Sequence, residues 1–297
     1  MIETRLLQYF LIVAQEKNIT NASKILHITQ PTLSRQMSLL EREIGVALFE
    51  KGSRPLKLTN EGVLLRRRAE EILNLIQKAE QEALNCEAQV EGTVSIGCGE
   101  LASVRLLSEI LASFRIKYSH VAFDLYTANA DDIKRSMDDG LTDIGLLLEP
   151  VDMERYEYIR MPLKERWAVL VPAGVPLAKR EYITAKDLAD IPVILPKRQK
   201  IHDEAASWFG RYYHSLKIAS TSNMSTNAAV LVCAGIGYAL TLEGSLPFLK
   251  EEEIRMVPLY PELLATSALA WRRQQPRSPA VTKFIEYFKC SLSMNFQ

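Results

Sequence analysis

Between Thr29 and Ile44 the residue types sort into two opposed faces. Wound at about 100° per residue, Leu33, Met37, Leu40 and Ile44 fall together, while Pro31, Ser34, Arg35, Ser38 and Arg42 fall in the opposite arc. The first arc is a core face. The second is a strip of short polar side chains flanked by two guanidinium groups. Small hydroxyl residues let a helix backbone sit deep in a major groove, and arginine can bond guanine through two hydrogen bonds or hold a phosphate. An ordinary solvated amphipathic helix shows a similar division, so the strip gains its meaning from its neighbours.

Those neighbours supply the positioning elements. Thr29 and Gln30 before Pro31 make a polar cap with proline in the first turn, which starts a helix, and Gly45 stops it. Upstream, Leu6, Leu7, Phe10, Val13 and Ala14 recur at helical spacing, and Thr20 is placed to cap a second helix carrying Ala22, Ile25 and Leu26. Two short helices joined by a turn of about three residues have helix-turn-helix geometry. After Phe49, the run from Lys51 to Thr59 has basic residues between two apolar ends and reads as a β-wing, with Lys51 and Arg54 available to a backbone or minor groove. A plain hairpin loop is the alternative. From Lys24 to Arg68 there are nine basic residues against four acidic ones, in a chain whose 36 basic and 36 acidic residues cancel. The positive excess is therefore confined to this stretch.

The run Ala22-Ser23, Leu26, Thr29-Gln30-Pro31-Thr32-Leu33-Ser34-Arg35-Gln36, Leu39-Leu40-Glu41, Gly45, Leu48-Phe49, Leu58-Thr59 and Glu61-Gly62 resembles the N-terminal signature of the LysR-type regulators. Departures are small: family members often carry Ala-Ala at Ala22-Ser23 and a basic pair at Lys51-Gly52. The resemblance implies a winged helix-turn-helix that binds double-stranded DNA at an interrupted inverted repeat, with Thr29, Gln30, Pro31, Thr32, Ser34, Arg35, Ser38, Arg42, Lys51 and Arg54 at the interface. It also implies a transcriptional regulator rather than an enzyme. The partners implied are a small-molecule effector, further copies of the chain in a dimer and then a tetramer, and RNA polymerase, with no membrane and no cofactor beyond the unidentified co-inducer.

From Glu61 to about Val90 there is no proline and, beyond Gly62, no glycine, so one long helix is expected. Leu65, Ala69, Ile72, Ile76, Ala79, Ala83 and Cys86 step alternately by four and three, an a/d seam over three heptads. A helix packed on its own domain shows the same stripe; the resemblance favours a dimer linker that places two recognition helices on successive turns of DNA.

Past Glu91-Gly92 the texture alternates between strand and helix. Strands are expected at 93–98, 121–127 and 143–148 with helices at 104–117 and 130–140, a βαβαβ unit. A second unit has strands at 167–172, 193–195, 217–221 and 236–241 with helices at 202–214 and 225–234, followed by a strand at 264–272 and a helix at 279–291. The expected domains are a DNA-binding domain at 1–60, a linker helix at 61–90 and an α/β effector domain at 91–297. Within the last, subdomain I takes 91–161 and 268–297, and subdomain II takes 162–267. Two such units form a cleft toward which helix N-termini point, a natural place for anions and polar metabolites. Family members use this architecture, similar to periplasmic solute-binding proteins, to sense effectors. Mapped onto this chain, one wall takes Gly99, Glu100, Leu101, Ala102, Ser103, Ala128, Asn129, Leu148 and Glu149, and the other takes residues 196–202, with Lys197 and His202, and 223–226, with Asn223 and Ser225. Lys197, Arg198 and Lys200 beside His202 suit an anion, while Glu100 and Glu149 suit an amino acid carrying both charges.

Other chemistries find little here. There is no G-x-S-x-G elbow, no phosphate-binding loop and no clustered set of metal ligands. The four cysteines are scattered, which fits a reducing cytoplasm and disfavours a sensing pair at Cys98. The apolar run from Leu6 to Ala14 is too short for a membrane span and no cleavage site follows it, so neither a signal peptide nor a transport-type solute binder is expected.

Overall fold

The structure is a computed structural model that describes residues 2–50, 52, 55–84 and 90–295. The chain forms two compact units, Met1–Cys86 and Glu87–Gln297.

The first unit contains helices α1 (Thr4–Glu16), α2 (Ile19–Ile25), α3 (Gln30–Ile44) and α4 (Asn60–Leu84). Leu6, Phe10 and Val13 of α1, Ala22 of α2, Leu33 and Leu40 of α3, and Ala69 of α4 are wholly buried together, with Met37 and Leu48 beside them. The second helix departs from the sequence expectation. Asn18, not Thr20, is its cap: the carboxamide oxygen accepts the backbone N–H groups of Thr20 and Asn21 at 2.8 and 3.2 Å. Asparagine satisfies these orphan donors better than threonine. The helix therefore starts earlier, and it buries Ala22 and Ser23 while Ile25 is exposed. The helix α3 begins and ends where its signals lie, with the Thr29 side chain accepting from the N–H of Thr32 and Gly45 closing the C-terminus.

The wing is anchored at its base. Phe49 and Leu58 bridge antiparallel, the Glu50 N–H reaches the Lys57 carbonyl at 2.9 Å, and Glu41 of α3 accepts the N–H groups of Leu48 and Phe49 through one carboxylate oxygen at 2.7 and 3.3 Å. Lys51 and Arg54 lie outside the described residues. The expected linker helix runs to Leu84, and the next described residue is Val90. Its seam divides. Leu65 and Ala69 pack into the core of the first unit, whereas Ile72 and Ala79 are exposed and Ile76 is half-buried. The Ala83 side chain and Cys86 lie outside the described residues.

The second unit is built on one continuous strand path. Its strands are β1 (Gly92–Cys98), β2 (Val121–Thr127), β3 (Ile144–Leu148), β4 (Tyr156–Pro172), β5 (Pro192–Pro196), β6 (Lys217–Ser222), β7 (Tyr238–Leu242), β8 (Ile254–Pro258) and β9 (Leu264–Arg272). Their order is β2-β1-β3-β9-β4-β7-β5-β6, with β8 also on β4. The crossovers are α5 (Ser103–Lys117), α6 (Ala130–Asp138), α7 (Ala185–Leu188), α8 (Gln199–Phe209) and α9 (Ser225–Cys233), and α10 (Pro279–Asn295) closes the chain. Pairs β1/β2, β1/β3, β5/β6 and β5/β7 are parallel, as βαβ crossovers require. Two long strands, β4 and β9, run antiparallel through both halves, with a register shift between Arg160 and Lys164. Patterning located only the second half of β4 and missed β8. It also started α8 three residues late, so His202 lies inside a helix.

Gly62 shows how closely the first unit is fitted. A Cβ there would stand 2.2 Å from the Leu48 carbonyl oxygen, the same carbonyl that accepts the Thr59 N–H. Gly62→Ala must push the wing strand off α4. A loss of about 1–3 kcal/mol of stability is expected, read as a melting temperature several degrees lower in thermal denaturation.

Candidate functional sites

In the first unit, Leu33, Met37 and Leu40 of α3 point inward. Thr29, Gln30, Pro31, Thr32, Arg35, Ser38 and Arg42 are exposed and Ser34 is half-buried. The polar strip is therefore a free surface on this unit. The Thr29 and Thr32 hydroxyls lie 2.8 Å apart at the helix start, ordering the end of the strip.

In the second unit a cavity of about 100 Å³ lies between the two halves of the sheet. Of the residues expected there, Gly99, Glu100, Leu101, Ala128, Asn129, Leu148, Asn223 and Ser225 line it. Ala102, Ser103, Glu149, Lys197 and His202 do not. Each exception has a local cause. Ala102 packs on Gly244, where an added Cβ would stand 2.9 Å from the Ala102 Cβ. Ser103 is wholly buried beneath the cavity wall, and its hydroxyl donates to Glu165 at 2.5 Å. Glu149 is turned to Arg160, which holds both carboxylate oxygens at 3.0 Å. Lys197 is exposed, and His202 donates its ring N–H to the Pro196 carbonyl.

Glu165 accounts for the loss of the expected anion site at α5. Its buried carboxylate accepts the N–H groups of Ala102 and Ser103 at 2.9 and 3.1 Å and the Ser103 and Ser267 hydroxyls at 2.5 and 3.1 Å. The positive end of α5 already has its anion, supplied by β4. Glu100 does the same for α9. Its two oxygens accept the N–H and hydroxyl of Thr226, so a loop after β1 is tied to the opposite half.

A second tie crosses the cleft at Arg198, whose side chain is only 5% exposed. Its terminal nitrogens donate to the carbonyls of Leu148 and Pro150, and its Nε lies 3.1 Å from Asp131. That last approach is an ion pair out of line for a hydrogen bond. Asn129 caps α6, accepting from Asp131 and Asp132. The Ser225 and Thr241 hydroxyls bond each other at 2.6 Å.

Arg198 belongs to a stretch that sequence reading marked as cationic. The lining residues it missed include Trp167, Leu146, Ile194 and Leu240, which come from strands that read as plain core. Only the polar edge of the Trp167 indole, which in a core normally finds an acceptor, was a signal. Cys98 is buried outside the cavity lining, and burial pushes its thiol up against a weaker opposing hydrogen bond from Thr127. Among the described residues no cluster of His, Cys, Asp or Glu is arranged to hold a metal, and no helix is long and apolar enough to cross a membrane.

Known proteins share both units. Residues 4–63 match the family model of the bacterial regulatory helix-turn-helix proteins of the lysR family, and residues 87–293 match the LysR substrate binding domain. The uncharacterised HTH-type transcriptional regulator YybE of Bacillus subtilis is 27% identical, covering 96% of this chain and 98% of its own. The HTH-type transcriptional regulator BsdA of the same organism is 26% identical over 97% of this chain and 100% of its own. Among solved structures, full-length CbnR complexed with its target DNA aligns with a TM-score of 0.72 at 22% identity, over 98% of this chain and 100% of that one.

The Glu165 contacts give a direct test. Glu165→Ala leaves two buried hydroxyls and the first turn of α5 without their acceptor, so a loss of about 3 kcal/mol is expected. Ser103→Ala removes one partner and should cost about 1 kcal/mol. Urea denaturation of the full chain reads both values, and equal, negligible losses would contradict the assignment.

Proposed function

The chain belongs to the LysR family of bacterial transcriptional regulators, and from that membership we propose that α3 reads its operator while the cleft of the second unit holds the effector. The family's members are DNA-binding regulators and not enzymes, and the two matched regions are a helix-turn-helix and an effector-binding domain. The observation that carries the DNA-binding part is the division of α3. Leu33, Met37 and Leu40 are engaged in the core, which leaves Pro31, Thr32, Ser34, Arg35, Ser38 and Arg42 to face a groove, with Thr29 and Gln30 at the helix start; Lys51 and Arg54, outside the described residues, are proposed as further DNA contacts.

The domain limits proposed are 1–60, 61–90 and 91–297, with subdomain I at 91–161 and 268–297 and subdomain II at 162–267. The exposed Ile72 and Ala79 with half-buried Ile76 support pairing of two chains along α4, and a tetramer of such dimers on DNA. A cytoplasmic location and contact with RNA polymerase complete the reading.

Regulation follows from the cleft ties. Glu100 and Arg198 tie the two halves across the cleft by hydrogen bonds that an opening of the cleft must break. An effector shifts this equilibrium by its differential affinity for closed and open forms, with coupling of about 1–3 kcal/mol typical of such systems. Its effect on DNA affinity is modest and reciprocal.

Two outcomes are expected. In a gel shift on DNA upstream of the protein's own coding sequence, at fixed salt, Arg35→Ala weakens specific binding by about 1–3 kcal/mol without changing the melting temperature. Undiminished affinity would remove α3 from the interface. Ile72→Asp with Ile76→Asp puts carboxylates into a seam that pairing must desolvate, so analytical ultracentrifugation shows smaller species than the parent; an unchanged sedimentation coefficient would refute pairing through this helix.

A further inference from the structure

We propose that the cavity of the second unit takes a compact hydrophobic monocarboxylate, its oxygens accepting the indole N–H of Trp167 and a free N–H of Arg198. This rests on the cleft being the effector site. Trp167 is 2% exposed, it lines the cavity, and among the described residues its Nε1 has no acceptor. A buried N–H left unpaired is costly, and native proteins keep few of them. Arg198 supplies a second donor. Two of its nitrogens are held by the Leu148 and Pro150 carbonyls, while its Nε faces Asp131 without hydrogen-bond alignment.

Several acceptors around the cavity are, by contrast, engaged. Asn129 caps α6, Glu100 caps α9, and the Ser222 oxygen accepts the Met224 N–H. The unmet demand is thus for a ligand that accepts. Two of the helix N-termini at the cavity, those of α5 and α9, are already met by Glu165 and Glu100, while Trp167 and Arg198 keep buried N–H groups without an acceptor. Asp131, the ion-pair partner of Arg198, is half exposed and weakened by solvent screening, so a ligand carboxylate in the cavity can displace it.

The rest of the wall sets the body of the ligand. Leu101, Leu146, Ile194, Leu240 and Leu242 offer no hydrogen bonds, so a second charge on the ligand would be stranded there. The volume of about 100 Å³ suits a small body, a short branched chain or a single small ring, with the carboxylate at the polar edge.

The test uses the full chain with isovalerate and benzoate as probes, their primary amides as neutral isosteres, and succinate as a polar diacid, read by isothermal titration and thermal shift. At least one monocarboxylate is expected to bind, with its amide weaker and succinate inactive. Trp167→Phe keeps an aromatic ring and removes the N–H, so acid affinity falls about tenfold or more while the amide loses less. Ala228→Phe fills the cavity from α9 and abolishes binding. Binding that is undiminished in Trp167→Phe overturns the proposal, as does a panel in which neither acid binds the parent. If neither acid binds, but another metabolite stabilises the parent and not Ala228→Phe, the hydrophobic-acid class falls and the cleft reading survives. If an acid binds parent and Ala228→Phe alike, the cleft reading falls as well.

Discussion

A carboxylate removed from water must be met by donors, and Glu165 meets that requirement with donors from two segments distant in sequence, Ala102-Ser103 and Ser267. It sits on β4 just after the register shift, beside Ala265 of β9, and holds the first turn of α5 together with the hydroxyls of Ser103 and Ser267. The place where two strands pass from one half of the second unit to the other is thereby fixed to the helix that opens the cleft. Because this bond network neutralises the α5 terminus internally, the cleft floor is closed to anions there, and the cavity that remains is largely apolar with its unmatched donors at Trp167 and Arg198.

The cleft ties work on a different scale. Glu100 to Thr226 and Arg198 to the Leu148 and Pro150 carbonyls are a few charge-assisted contacts, each worth about 1.5–3 kcal/mol net. Such bonds keep a closed arrangement favoured without making it irreversible. The β4/β9 pair joins the two halves and carries its register shift between Arg160 and Lys164, so opening can bend the crossing strands there without unfolding either half. Strong, buried contacts set the architecture; a few contacts at the rim leave it adjustable.

The first unit divides its residues in the same way. Glu41 lies on α3 itself and holds the wing by two backbone N–H groups, so the polar strip and the wing base move as one piece. The core that supports them is small and closely fitted, with Gly62 allowing α4 to approach the Leu48 carbonyl. Rigid support below an exposed polar face is what a surface needs if it is to meet a regularly spaced target.

Periodicity made much of this legible from sequence. The faces of α1 and α3, the caps at Thr29 and Gly45, the stepping seam of α4 and the alternation beyond Gly92 are local properties: burial of one side of a helix repeats every three or four residues, and a parallel crossover requires a helix between its strands. About sixty residues at the N-terminus carried a family signature for the same reason, since a helix-turn-helix is built from contacts close in sequence. The cleft was legible only as a location. Ser103 and Glu165 are 62 positions apart and Glu100 and Thr226 are 126 apart, so no local pattern records that these serine and glutamate side chains satisfy one another. Trp167 reads as core from its strand, and only the register of β4 against β7, pairing it with Leu242, sets its ring in a cavity wall with its N–H unmatched. Sequence fixes which groups a segment offers at each turn of its own repeat, whereas which distant group answers each one depends on sheet register and loop closure, quantities that exist only once the chain has folded.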